Sequence, residues 1–143
     1  MDDDLALTNT LLRVARHFEL LRREALVARD LEVWEYDVLA ALRAAGAPHE
    51  LSPSALVNET QVASGTTTNR IDRLSRRGYV TREPDPDDRR GVLVRLTTAG
   101  RRKVDAATAD VANSESAAWA RLSDRKRGQL AVSLEELQAQ FDQ

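Results

Sequence analysis

Apolar residues along this chain change their period several times, and the changes mark out its elements. Leu11, Ala15, Phe18, Leu21 and Ala25 recur at helical spacing with Arg13, Arg16, Arg22 and Arg23 between them. That pattern predicts an amphipathic helix over about residues 5–28. A second helix, about 31–45, turns Trp34, Val38, Leu39 and Leu42 inward and stops at Gly46, with Pro48 just beyond.

In LSPSALVNET (51–60), Ser52 is placed to cap, and Pro53 suits the first helical position because its missing N–H needs no partner there. Leu51 can staple against Leu56, so a short helix of about 53–59 is expected. After a turn around Thr60 to Ala63, Ser64 can cap a longer helix reaching Arg77, where Gly78 supplies the left-handed stop. Short helix, tight turn and longer helix make a helix-turn-helix candidate.

Beyond Gly78 the period becomes that of strands. YVTRE and VLVRL are short β-rich runs, and PDPDDRRG between them breaks regular structure at Pro84, Pro86 and Gly91. A β-hairpin pairing about 79–83 with 92–96 is expected, which would form a wing. Thr97 then caps a long helix of about 98–120, and a last helix carries Leu130, Leu134, Leu137 and Phe141 as one stripe. The expected fold is mainly α with a small β-hairpin wing. A winged helix-turn-helix at 31–97 is flanked by dimerisation helices at 1–30 and 98–143. The outer stripes exceed what the central module can cover, so a second copy of the chain is the expected partner.

Composition narrows the function. A length of 143 residues with 42% hydrophobic content suits one globular domain. No run approaches the roughly 18 apolar residues of a membrane span. The start, MDDDLALTN, is acidic where a secretory signal would be basic, which points to the cytoplasm. Cysteine is absent, which removes disulfides, thiolate nucleophiles and thiolate metal sites. His17 and His49 alone cannot build an all-nitrogen zinc site. With no phosphate-binding glycine loop and no recognisable partner for either histidine, neither an enzyme nor a cofactor is expected.

The net charge of −2 hides an asymmetry. Ser64 to Lys103 carries 11 Lys/Arg against 5 Asp/Glu, and the remainder carries 10 against 18. A basic island in an acidic chain is the electrostatic footprint of a nucleic-acid surface. Placed at 100° steps, Thr67, Ile71 and Leu74 share the side that packs on the core, and Thr66, Asn69, Arg70, Arg73, Arg76 and Arg77 share the other. The N-terminal end of such a helix enters the major groove, so Ser64 and Thr67 are counted among the DNA-binding candidates. Arginine forks read guanine edges or grip phosphate, and Asn69 can pair with adenine. Arg76 and Arg77 are expected on phosphate. Arg89 and Arg90 sit at a tip narrow enough for a minor groove, with Asp88 expected to orient an arginine. Ser52 and Ser54 are expected in support. The competing explanation is a solvated helix face with an Asp72–Arg76 pair. The competing function is a winged-helix protein-interaction module without specific DNA binding.

DRRGVLVRLTTAG (88–100) fits the pattern D-x-R-x5-L-T-x2-G at Asp88, Arg90, Leu96, Thr97 and Gly100. Through it, Leu31 to Gly100 resembles the MarR family of winged helix-turn-helix transcription regulators, and the helix order outside this region also fits. The resemblance implies a homodimer built from the N- and C-terminal helices. It implies a recognition helix in each major groove of an inverted-repeat operator on double-stranded DNA, and a wing arginine in a minor groove. It further implies repression released by a small anionic or aromatic effector bound between the dimerisation helices and the DNA-binding lobe. WEYDVLAALR, with SGTTTNRIDRL and PDPDDRRGVLV, is similar to a subgroup that responds to urate or related purines. In that subgroup Asp37 would belong to the ligand site, but Ala44 stands where an arginine is expected and the first helix lacks the expected tryptophan. Trp34 and His17 are the further ligand candidates. Asp37 reads equally well as a surface or helix-capping acid.

Overall fold

The computed structural model of the protein describes residues 2–62 and 64–142. Helix α1 (Asp2–Val27) is followed by α2 (Val33–Ala44), strand β1 (Glu50–Leu51), α3 (Pro53–Thr60) and α4 (Ser64–Arg76). Then come β2 (Val80–Pro84), β3 (Val92–Leu96), α5 (Thr98–Trp119) and α6 (Asp124–Gln138). The strands form one antiparallel sheet in the order β1-β3-β2, with Val80 opposite Leu96 and Glu50 opposite Arg95. The hairpin lies one residue later in its first strand than the pattern predicts. Strand β1 was not foreseen at all. Ala63, in the expected turn, lies outside the described residues.

Local chemistry accounts for most boundaries. Ser52 Oγ accepts from the Ala55 N–H at 3.1 Å and so caps α3, with Pro53 in the first turn. Gly78 ends α4 at a φ of 80°, a conformation that costs a side-chain-bearing residue about 1–2 kcal/mol. Thr97 does two jobs at once. Its hydroxyl accepts from the Gly100 N–H at 3.0 Å and donates to the Gly78 carbonyl at 2.7 Å, tying the start of α5 to the end of the recognition-type helix. A Cβ on Gly100 would run into the Tyr79 carbonyl, so the backbone approaches there only as closely as glycine permits. Buried Leu96, capping Thr97 and bare Gly100 thus give the L-T-x2-G signature a mechanical reading.

Leu26, Leu39, Leu42, Leu56, Ile71, Leu74, Val80, Val94 and Val104 are fully buried and gather the end of α1 with α2, α3, α4, the hairpin and α5. Each contributes on the order of 1.5–3 kcal/mol of transfer free energy. In α2 the inward set differs from expectation: Trp34 is only half-buried, whereas Glu35 and Tyr36 are buried. Glu35 is held by the Glu32 N–H at 3.0 Å and by Arg77, and Tyr36 shares a 3.1 Å hydroxyl contact with Thr108.

Phe18 stacks on Trp119, and Arg22–Glu115 and Arg29–Asp110 bond at 2.7 and 2.6 Å, which fixes α1 and α5 antiparallel. Arg43 of α2 bonds Asp105 further along α5 at 2.8 Å. In this register α1 overshoots the C-terminal end of α5. Residues 2–17 are all exposed, among them Leu5, Leu7, Leu11, Leu12 and Val14. Helix α6 buries no residue and presents Val132, Leu134 and Leu137, with Phe141 just beyond its end. The stripe predicted for α1 is therefore covered in one protomer only toward its C-terminal end.

Candidate nucleic-acid interface

Helix α4 docks through Ile71 and Leu74, while Thr66, Asn69, Arg73 and Arg76 are exposed and Arg70 is half-buried. Thr67 is 2% exposed and stands on the docking side. Its place among the DNA-facing candidates is therefore corrected: the 100° step that brings it to Ile71 and Leu74 also turns it from solvent. Ser64 opens α4, and its side chain lies outside what the structure describes.

The arginines of α4 divide by what holds them. Arg70 and Arg73 lie over the Trp34 ring, each guanidinium carbon 5.1 Å from its centroid. The indole N–H donates to Glu32 Oε2 at 2.5 Å, and Arg73 is 3.9 Å from the same oxygen. Among the described residues Arg76 donates only to the Asp72 carbonyl, at 3.4 Å. The Asp72–Arg76 pair of the competing explanation is not formed, because Asp72 bonds Arg82 of β2 at 2.5 Å. Arg77 donates to Glu35 at 2.5 Å and to the carbonyl and carboxylate of Asp30 at 2.8 and 3.0 Å, with its guanidinium over Tyr79. Reaching a phosphate would strip Glu35 of its partner while leaving it buried, which is strongly unfavourable.

The wing tip is closed by carboxylates acting on backbone. Asp85 accepts from the Asp87 N–H at 2.9 Å, the Asp85 N–H bonds the Gly91 carbonyl at 3.0 Å, and Asp88 accepts from the Arg90 N–H at 3.0 Å. Asp88 was expected to orient an arginine side chain. It instead fixes the backbone of Arg90, since a carboxylate two residues back closes a tight turn more readily than it meets a flexible guanidinium. Arg89 and Arg90 remain exposed. Ser52 and Ser54 share a 3.1 Å hydroxyl contact at the start of α3, with Ser54 exposed.

Two adjoining clefts share Glu19, Val33 and Asp37. One, of about 320 Å³, lies between α1, α2 and α5 and is lined by Phe18, Arg22, Asp37, Glu115 and Trp119 among others. The other, of about 260 Å³, is lined by Arg23, Trp34, Asp37 and Arg70 among others. Asp37 borders both, Trp34 borders the second, and His17 is exposed and lines neither. Although Asp37 as a whole residue is exposed, burial around its carboxyl pushes the pKa up; Arg22 and Arg70 oppose this, and Glu19 adds to it. The Arg29 hydrogen bond holds Asp110 below the usual carboxylate range.

Sequence reasoning missed Glu32 and Glu35. Both are legible as a capping box, since Glu32 accepts from the third helical N–H while Glu35 accepts from the Glu32 N–H. Their links to Arg73 and Arg77 span some 40 residues and leave no local signal. Among the described residues no group of three His, Cys, Asp or Glu is placed to hold a metal, and no helix is long and apolar enough to cross a membrane.

The sequence profile of the MarR family matches residues 29–91. The chain is 36% identical over 98 residues to the HTH-type transcriptional regulator PecS of Dickeya dadantii, an alignment covering 68% of this chain and 59% of that relative. The chain thus spans somewhat more than half the length of that curated relative. Among solved structures, a mutant Escherichia coli MarR complexed with operator DNA superposes with a TM-score of 0.83 at 27% identity, covering 95% of this chain and 96% of the other. CouR of Rhodococcus jostii RHA1, bound to p-coumaroyl-CoA, superposes with a TM-score of 0.82 at 26% identity, covering 92% and 90%.

Proposed function

Because the chain belongs to the MarR family, we propose that it is a homodimeric, sequence-specific DNA-binding transcription regulator, a repressor released by a small anionic or aromatic ligand. The observation that carries this reading is the presentation of α4. A helix docked by Ile71 and Leu74 turns Thr66, Asn69, Arg70, Arg73 and Arg76 outward beside a closed wing whose tip bears Arg89 and Arg90. We assign Asn69, Arg70 and Arg73 to base edges, Arg76 to phosphate, Arg90 with Arg89 to a minor groove, and Arg77 to internal support. Residues 31–97 form the DNA-binding lobe, and residues 1–30 and 98–143 pair with a second copy through the exposed faces of α1 and α6. The relatives' names as regulators support a non-catalytic role, and the proposed work on DNA supports a cytoplasmic location.

The cleft lined by Phe18, Arg22, Asp37 and Trp119 offers aromatic faces beside charged groups, which suits an aromatic anion; the relative CouR binds an aromatic acyl thioester. Selecting duplexes from a random pool at physiological salt tests the reading. An inverted repeat with half-sites about one helical turn apart is expected. Unchanged binding by a folded Arg70→Ala, Arg73→Ala, Arg90→Ala variant overturns it.

A further inference from the structure

We propose that Trp34 is a positioning residue for sequence reading: its indole is a platform that aims the guanidinium groups of Arg70 and Arg73 at DNA. The proposal rests on the DNA-binding function put forward for this chain. Trp34 belongs to α2, whereas the two arginines are neighbours one turn apart on α4, yet both lie at the same 5.1 Å from one ring. The ring is itself anchored. Its N–H bonds Glu32, and Glu32 is the N-cap of α2 and half of a capping box. Tilting the indole would disturb the helix terminus that carries it.

Attraction to an aromatic face acts on the guanidinium as a cation and leaves its N–H donors free at the edge. Among the described residues Arg70, half-buried, makes no side-chain hydrogen bond or ion pair, and Arg73, its side chain 60% exposed, has only the 3.9 Å approach to Glu32. Arg77, just past the end of α4, shows the opposite arrangement, with its fork spent on Glu35 and Asp30. Stacking restricts rotamers that would otherwise have to be ordered on binding, so a stacked arginine meets a base with less entropy to lose. Trp34 as no more than a wall of the adjoining cleft would leave DNA selectivity independent of its ring.

The test compares the wild-type chain with Trp34→Phe and Trp34→Leu on the wild-type's selected duplex and on a scrambled one, with unfolding followed by circular dichroism. The ratio of the two affinities should fall about tenfold in Trp34→Leu, the loss expected of two ring contacts. Trp34→Phe, which keeps an aromatic face, should retain most of it. The salt slope should stay the same in all three, since no phosphate contact is removed. A ratio unchanged in Trp34→Leu, or lowered equally by both substitutions, overturns the proposal. A fold weakened without any aiming role would lower both affinities together and leave the ratio intact. In a Trp119→Phe background Trp34 is the sole tryptophan. Its emission should respond differently to the selected and scrambled duplexes, and an identical response also overturns the proposal. A wild-type chain that does not discriminate between duplexes overturns the DNA-binding function itself.

Discussion

Arg77, just past the end of α4, donates to Glu35 in the first turn of α2 across 2.5 Å, and Glu35 is 4% exposed. The end of α4, the helix proposed to face DNA, is thereby bolted to the corner between α1 and α2. Arg77→Ala leaves the buried Glu35 carboxylate without a cation, held only by the Glu32 N–H, and should destabilise the fold by about 3 kcal/mol in urea unfolding at fixed protein concentration. Adding Glu35→Gln should recover part of that loss, because the orphaned charge is gone. A phosphate role for Arg77 would appear instead as a salt slope reduced by about one with stability unchanged.

Gly100→Ala should lower stability by about 2 kcal/mol, read in thermal unfolding. The new Cβ meets the Tyr79 carbonyl and the Leu96 side chain, and a backbone oxygen cannot swing aside as a flexible side chain can. The same backbone is held by the Thr97 N–H at 3.0 Å. Relief of the clash must therefore shift the wing against α5.

Asp37 gives a pH signature. Burial raises its folded-state pKa above the unfolded value, so between those two values the folded chain binds more protons than the unfolded one. Stability then falls as pH rises from the ordinary carboxylate range, near 3.9, through the raised value. Asp37→Asn should increase stability at neutral pH and have no such effect below the carboxylate range. Unfolding at a series of pH values checks both limbs.

Charges placed on the uncovered helices should separate the copies. Leu11 and Leu134 are exposed in one protomer, on α1 and α6. Leu11→Glu with Leu134→Glu should weaken self-association about 30-fold or more, equivalent to about 2 kcal/mol. Sedimentation at micromolar concentration reads the shift directly. The wild-type unfolding midpoint should rise with protein concentration, and the variant's should not.

Much of this architecture is legible residue by residue. Caps at Ser52 and Thr97, the stop at Gly78 and the alternation flanking Pro84 to Gly91 each act within four residues, and their elements appear where local chemistry puts them. Strand β1 escapes because two residues carry no alternation. It exists only because β3 offers a free edge to Glu50 and Leu51, with Arg95 bonding Glu50. The outward face of α4 follows from its period, but the differing duties of Arg70, Arg73 and Arg77 do not. Those depend on Trp34, Asp30 and Glu35, which reach α4 only after the chain has turned back on itself.

Three arginine–carboxylate ties, from Arg22, Arg29 and Arg43, join α1 and α2 to α5, so the proposed dimerisation helices and DNA-binding lobe would move together as one lever. Helix α5, with 22 residues, is about 33 Å long. In a pair of copies joined at the far end of that lever, the separation of the two α4 helices becomes an angular quantity. A rotation of about 10° between the copies moves each DNA-facing end by roughly 6 Å, close to two base-pair steps. On the proposed reading, a ligand seated in the cleft beside Phe18 and Trp119, near the pivot, would have the mechanical advantage to carry both α4 helices out of step with their half-sites.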